Sequence, residues 1–176
     1  MKKMVGFGLM LVAVVALSAF GNGRRENSLV RFSGGIGVDP ISNVVVSATV
    51  PQVTTVSPNA VRGVFPLGQP WRIADLNADV NVDGRIRVRG RGLLLAGGNG
   101  IGTNAGQSVF ATLFCGAAAS ATASSSNQAG VALDANGDFT IEDVLSPLPP
   151  TTCETPVLLI RSAAGSHAWF AAGIED

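Results

Sequence analysis

From residue 26 onward the dominant pattern is alternation. Residues 74–82 set Ala74, Leu76, Ala78, Val80 and Val82 between Asp75, Asn77, Asp79 and Asn81, and residues 85–91 carry Arg at every odd position with Ile86, Val88 and Gly90 between. A period of two means a strand with one buried face, because successive side chains leave a strand on opposite sides. The same grammar, with short apolar runs bounded by Gly, Pro, Asn and Asp, predicts strands over 28–32, 44–50, 53–56, 60–64, 71–82, 85–95, 108–115, 119–124, 131–134, 138–142, 157–163 and 168–174. Two stretches, 157–160 and 168–174, are apolar on both faces and belong in the middle of a two-layer core. Three stretches read as loops: the Gly/Asn-rich 96–107, the small and polar 116–130, and 146–155, where Pro147, Pro149 and Pro150 forbid a central strand. These elements predict an all-β fold, an antiparallel β-sandwich of short strands with Gly/Pro-rich loops.

The two alternating segments also predict a hairpin register. Directly opposed residues of an antiparallel pair share a face. A two-residue Asp83-Gly84 turn would oppose Val80 to Arg87 and put core residues against charges, which burial forbids. A three-residue loop, Val82-Asp83-Gly84, instead opposes Val80 to Ile86, Asp79 to Arg87, Ala78 to Val88, Asn77 to Arg89 and Asp75 to Arg91, with Gly84 in the left-handed conformation such loops require. On this reading the Arg ladder is a sheet face satisfied by cross-strand acids rather than a stripe for a polyanion.

The first residues follow a different pattern. Met-Lys-Lys opens the chain, residues 4–20 carry no charge, and small residues follow at Ala16, Ser18, Ala19 and Gly21. That order predicts a cleaved signal peptide over 1–22, with the mature start between Ala19 and Arg24. An uncleaved anchor is the alternative, for which the run is slightly short of the ~20 apolar residues a span needs. No cysteine near the cleavage region offers a lipid anchor, and no second long apolar run follows, so the expectation for residues 23–176 is a single exported domain without a membrane span. Cleavage removes Lys2 and Lys3, so twelve basic residues become ten, all Arg, against twelve acids: a net charge of −2 that does not suit nucleic acid. An oxidising compartment and an even count make a Cys115–Cys153 disulfide the economical pairing, with two buried free thiols as the alternative.

Candidate chemistry thins out when each motif is followed into its context. Gly100-Ile101-Gly102-Thr103-Asn104-Ala105 follows an apolar strand as a dinucleotide loop does, but the next segment, 108–115, reads as a strand where a phosphate site needs a helix N-terminus. Asp79, Asn81, Asp83 and Gly84 open like a calcium loop, echoed by Asp134, Asn136 and Asp138, yet position 12 is Gly90 in one and Leu145 in the other, so turn chemistry is the better reading and no metal is expected. His167 is the only histidine, the mature chain has no Lys, and Ser166 beside His167 lacks a nucleophile elbow. A carboxylate pair, Asp138 with Glu142 or Asp143, is the one catalytic route left open. Of the two tryptophans, Trp169 sits in an apolar strand. Trp71, at a strand start after Gln69-Pro70, is the one more expected at the surface, so it is the candidate platform for a sugar or small ligand. Core packing remains the favoured reading for both.

Several segments carry a resemblance. Val61-Arg62-Gly63, Gly68-Gln69-Pro70-Trp71, the run from Gly90 to Gly102, Ser108 to Cys115 and Leu158 to Ala163 resemble a family of small exported bacterial proteins with no assigned activity. More distantly, the order of a long hairpin, a Gly-rich crossing loop, a short apolar strand, a variable polar stretch and two closing strands is similar to the chordin-type (CHRD) domain, a β-sandwich. That domain's His-containing motif is replaced here by Ala96-Gly97-Gly98-Asn99, so the resemblance implies the sandwich and no metal site. The sequence thus leads to a non-catalytic extracytoplasmic module without a cofactor, with a sugar- or small-ligand-binding domain and a carboxylate-based hydrolase as alternatives, and it identifies no partner.

Overall fold

A computed structural model describes residues 27–176. Residues 1–26, and with them the expected signal segment, lie outside the described residues. Among the described residues the secondary structure is entirely β, and no helix is long and apolar enough to cross a membrane.

The expected long hairpin is the centre of one half. Strand β5 (Asp75–Asn81) pairs with β6 (Arg85–Arg91) in the register derived from alternation, with Val80 opposite Ile86 and Asp79 opposite Arg87. Gly84 closes the turn at φ 81°, its N–H donating to the Asn81 carbonyl at 2.9 Å. The same register continues through β4 (Trp71–Arg72) and β7 (Leu94–Leu95), where Trp71 opposes Leu95. The unbroken strands expected over 71–82 and 85–95 are thus one ribbon interrupted in the middle. Gly92 takes φ 64° there, and the Leu93 N–H leaves the ribbon to donate to Gly137 O at 2.9 Å.

On one flank of this ribbon lies β11 (Phe139–Val144), paired with β6; on the other lies β1 (Ser28–Gly37), paired with β5. The other half contains β8 (Ser108–Cys115), β12 (Val157–Ser162) and β13 (Trp169–Glu175), with β9 (Thr122–Ser125) and β10 (Val131–Ala132) sharing the outer edge of β8. Strand β1 joins the halves. Residues 28–33 pair with β5, while Phe32 and residues 35–37 pair with β13, whose ladder shifts between Phe32 and Gly35. A strand that changes partners across a bulge turns the corner of a sandwich. The bend needs glycine: a Cβ at Gly35 would stand 2.9 Å from Leu76 Cβ, and one at Gly37 would strike the Trp71 carbonyl.

The sandwich is therefore one antiparallel sheet, ordered β10-β8-β12-β13-β1-β5-β6-β11, curled over its own core. Its far sides meet where Ser125 and Ser146 exchange backbone hydrogen bonds of 3.0 and 2.8 Å. Between the layers lie Leu76, Val80, Val88, Leu113, Leu158, Ile160 and Phe170. The apolar stretch 157–160 is central and almost wholly buried, as expected; 168–174 is central too, but it emerges at its end, with Ile174 exposed.

Other expected strands change as well. Residues 60–64 form a tight turn bridged between Val61 and Val64, because Arg62 and Gly63 both adopt positive φ. The polar 119–124 stretch yields only the shorter β9.

Candidate functional site

The outer face of β1, β5, β6 and β11 is polar, as alternation requires, and holds the Arg ladder. The register was legible, but the charge partners differ from those expected. Asp79 is taken by β1, through Arg31 Nε at 3.3 Å and the Ser28 hydroxyl, which donates at 3.0 Å. Arg87 turns to β11 and grips Glu142 with Nε at 2.8 Å and with Nη2. Arg85 pairs with Asp83 at 2.6 Å beside the turn. Arg89 and Arg91 have no ion-pair partner among the described residues. The correction has a simple cause: in a sheet each strand has two neighbours, and a hairpin considered alone shows only one. An open groove of about 490 Å³ runs across this face past Asp79, Arg85, Arg87 and Glu142. Its charges are largely matched by each other, with no aromatic among its lining residues.

Trp71 is not at the surface. It is 5% exposed, and its ring packs against Phe170 with centroids 4.3 Å apart. The Trp71 backbone N–H donates to Val38 O at 2.9 Å, fixing β4 beneath the end of β1. Trp71 therefore packs in the core, the reading favoured for it, and does not stand exposed as a ligand platform would need. It shares the odd parity that faces outward at Asp75 and Asn77, and the interruption between β4 and β5 turns that parity inward, with Leu95 across the ribbon also buried. Trp169 is buried as expected, with Nε1 donating to Asn59 O at 2.9 Å.

Cys115 and Cys153 form a disulfide with Cα atoms 4.8 Å apart. It stands beyond the end of the β8–β12 ladder, next to the Val157–Phe114 pair and the Gly116 N–H to Glu154 O hydrogen bond of 2.7 Å. Closing the chain over residues 116–152, it holds β9, β10 and β11 as one loop. Disulfides persist in oxidising compartments, so the bond fits a non-reducing environment.

The acids considered for metal or catalysis are each engaged in a separate contact. Asp134 Oδ1 accepts the N–H groups of Asn136 and Asp138 at 2.8 and 2.9 Å, an Asx turn. Asp138 Oδ1 accepts from Gly92 N at 2.9 Å, and Asp143 accepts from the Asn127 N–H at 2.6 Å. Glu142 belongs to Arg87. No group of three His, Cys, Asp or Glu converges among the described residues. The Gly-rich loop folds back on β7, with Leu95 exchanging hydrogen bonds of 2.9 Å with Gly102 and Thr103, and it leads into strand β8.

Two features were not anticipated. The first is Arg161, half-buried on the outer side of β12. Its guanidinium lies 5.2 Å from the Phe110 ring centroid, with Nε donating to His167 O at 2.8 Å and Nη1 to the Thr112 hydroxyl at 3.3 Å. Burial lowers its pKa from the ordinary arginine value. It covers Phe110, which the His167 ring meets edge-on at 5.2 Å, so its packing role is evident.

The second is the hairpin formed by β2 (Ile41–Val46) and β3 (Thr54–Pro58), which pair with each other and form a sheet of their own. All six residues of β2 are exposed, as are Val50, Val53 and Val56. Residues 41–58 contain no charged side chain, a signal present in the sequence but unread there. The hairpin's root is firm. Asn59, whose carbonyl caps the Trp169 indole, also donates from Nδ2 to Asp39 O at 2.9 Å, and Asn59 N donates to Pro40 O at 2.9 Å.

Comparison with protein-family models, curated proteins and solved structures yields no match.

Proposed function

We propose that this chain is an exported, non-catalytic extracytoplasmic module that displays an interaction element, the β2–β3 hairpin, on a disulfide-stapled β scaffold. The observation that carries the reading is the hairpin itself. It is a charge-free, valine-rich ribbon, exposed on both sides, and anchored at its root to a buried tryptophan. A lone two-stranded hairpin is marginal in water, and contiguous exposed apolar surface on a soluble protein usually marks a contact site. The disulfide and the charge-free run over residues 4–20 support export. The resemblance to small exported bacterial proteins and to the CHRD sandwich is in keeping with it. Sugar or small-ligand binding through Trp71 would require that ring to leave Phe170.

Replacing residues 42–57 by a short Asn-Gly turn tests the reading. The shortened protein is expected to keep its near-ultraviolet circular dichroism and to melt within a few degrees of the parent, while losing most of its binding of an apolar dye. Unfolding of the shortened protein would show that the hairpin serves the scaffold, and unchanged dye binding would show that the exposed apolar surface lies elsewhere.

A further inference from the structure

The two faces of the hairpin are not equivalent. Val44 stands directly opposite Val56, and Val46 opposite Thr54, so Val44, Val46 and Val56 share one face. The other face opposes Val45 to Thr55 and Asn43 to Ser57. The first is therefore the drier. Each of its three valines keeps about half its surface exposed, at 51–52%.

We propose that this valine face docks on the same face of a second copy of the chain, giving a two-fold dimer; the proposal rests on reading the hairpin as the contact element. Charge points to the occupant. Every charged side chain of the protein lies outside residues 41–58, so a charged partner gains no ion pair here and would lose hydration on approach. An identical face brings only valine, Ser and Thr, and in an isologous contact each copy supplies what it receives. Size agrees. Two valine faces, with Ser42 and Thr54, offer on the order of several hundred Å² in total, the range of a weak, concentration-dependent dimer. The edges argue against open-ended stacking of strands: Pro40 and Pro58 flank the hairpin, Pro51 sits in its tip, and the ladder is irregular between Ile41 and Asn43. Prolines and irregularities of this kind block edge-to-edge growth, which leaves the face as the route to a closed pair.

Sedimentation velocity on the mature protein over a wide concentration range tests this, with Val44→Asp and Val45→Asp compared side by side. Both positions are exposed, so both variants are expected to fold, which circular dichroism verifies. The wild-type protein is expected to shift from monomer to dimer. Val44→Asp should raise the dissociation constant at least roughly tenfold and Val45→Asp by no more than about threefold. Val44→Cys should cross-link two copies on oxidation and Val45→Cys should not. A wild-type monomer up to ~1 mM, a dimer that survives Val44→Asp, or equal loss in both Asp variants would overturn the proposal. The first of these would leave the interaction-module reading standing if the shortened hairpin still folds and loses its dye binding. Unfolding of the shortened protein would remove the reading itself.

Discussion

Gly90 lies in the middle of the Arg ladder, at a position whose neighbours on the same face are Ile86 and Val88. The backbone there is ordinary strand, so alanine has no conformational objection, and a conformationally neutral Gly→Ala change stabilises by about 0.4–1 kcal/mol through the unfolded chain. The packing reverses that sign. Phe139 stands directly opposite Gly90, and its ring lies over the glycine. A Cβ at Gly90 would sit 2.9 Å from Phe139 Cδ1 and closer still to Cε1 and Cζ. Ordinary carbon contacts begin near 3.5 Å, so the ring must retreat by an appreciable fraction of an ångström or more. Phe139 is buried, with Ile141 and the core around it, and overpacking of this kind costs about 1–3 kcal/mol. After the entropic gain, Gly90→Ala is expected to destabilise by about 1–2 kcal/mol. Urea unfolding measures it directly, with an unchanged m value showing that stability alone has moved. Phe139→Leu provides the control: if the methyl and the ring compete for one space, the double variant should be more stable than the sum of the singles by about 1 kcal/mol. Stabilisation by Gly90→Ala, or strict additivity in the cycle, would refute the placement of the ring over the glycine.

Loss of the Cys115–Cys153 bond should be costly, because it closes a separation of 38 residues; Cys115→Ala with Cys153→Ala is expected to lose about 4 kcal/mol on the chain-entropy account, and a loss under 1 kcal/mol by urea titration would contradict it. The Arg87–Glu142 pair is half-exposed on both sides, so a double-mutant cycle should return a coupling of a few tenths to 1 kcal/mol, while the Arg87–Asp79 cycle should return close to none. The reverse ranking in thermal melts would restore the simple hairpin pairing. Arg161→Lys should destabilise more than Arg89→Lys, since only Arg161 covers a buried phenylalanine and reaches both His167 O and Thr112; equal melting temperatures would show that the covering is incidental.

What alternation could determine, it determined. The β class, the two faces of β5 and β6, the three-residue turn with Gly84 and the Val80–Ile86 register all follow from a period of two and the cost of burying charge, and these are local facts. The Cys115–Cys153 bond was also within reach, because two cysteines allow only one intramolecular pairing. The partners across the polar face were not. Asp79 and Arg87 oppose each other in the hairpin, yet each turns to a strand distant in sequence, Arg31 on β1 and Glu142 on β11, and side-chain reach in a sheet depends on which strands lie to either side. Trp71 shows the same limit from the other direction: it shares the parity of Asp75 and Asp79, and only the interruption between β4 and β5, the crossing of β1 over β4 and the ring of Phe170 show that it lies inward and what it packs against. The β2–β3 hairpin is the sharpest case. Its valines look like core in the sequence, because apolar composition records that a surface must be covered. Only the tertiary arrangement decides whether the covering comes from the same chain, and here the sheet closes on itself through β1 and the Ser125–Ser146 bridge, leaving those valines outside.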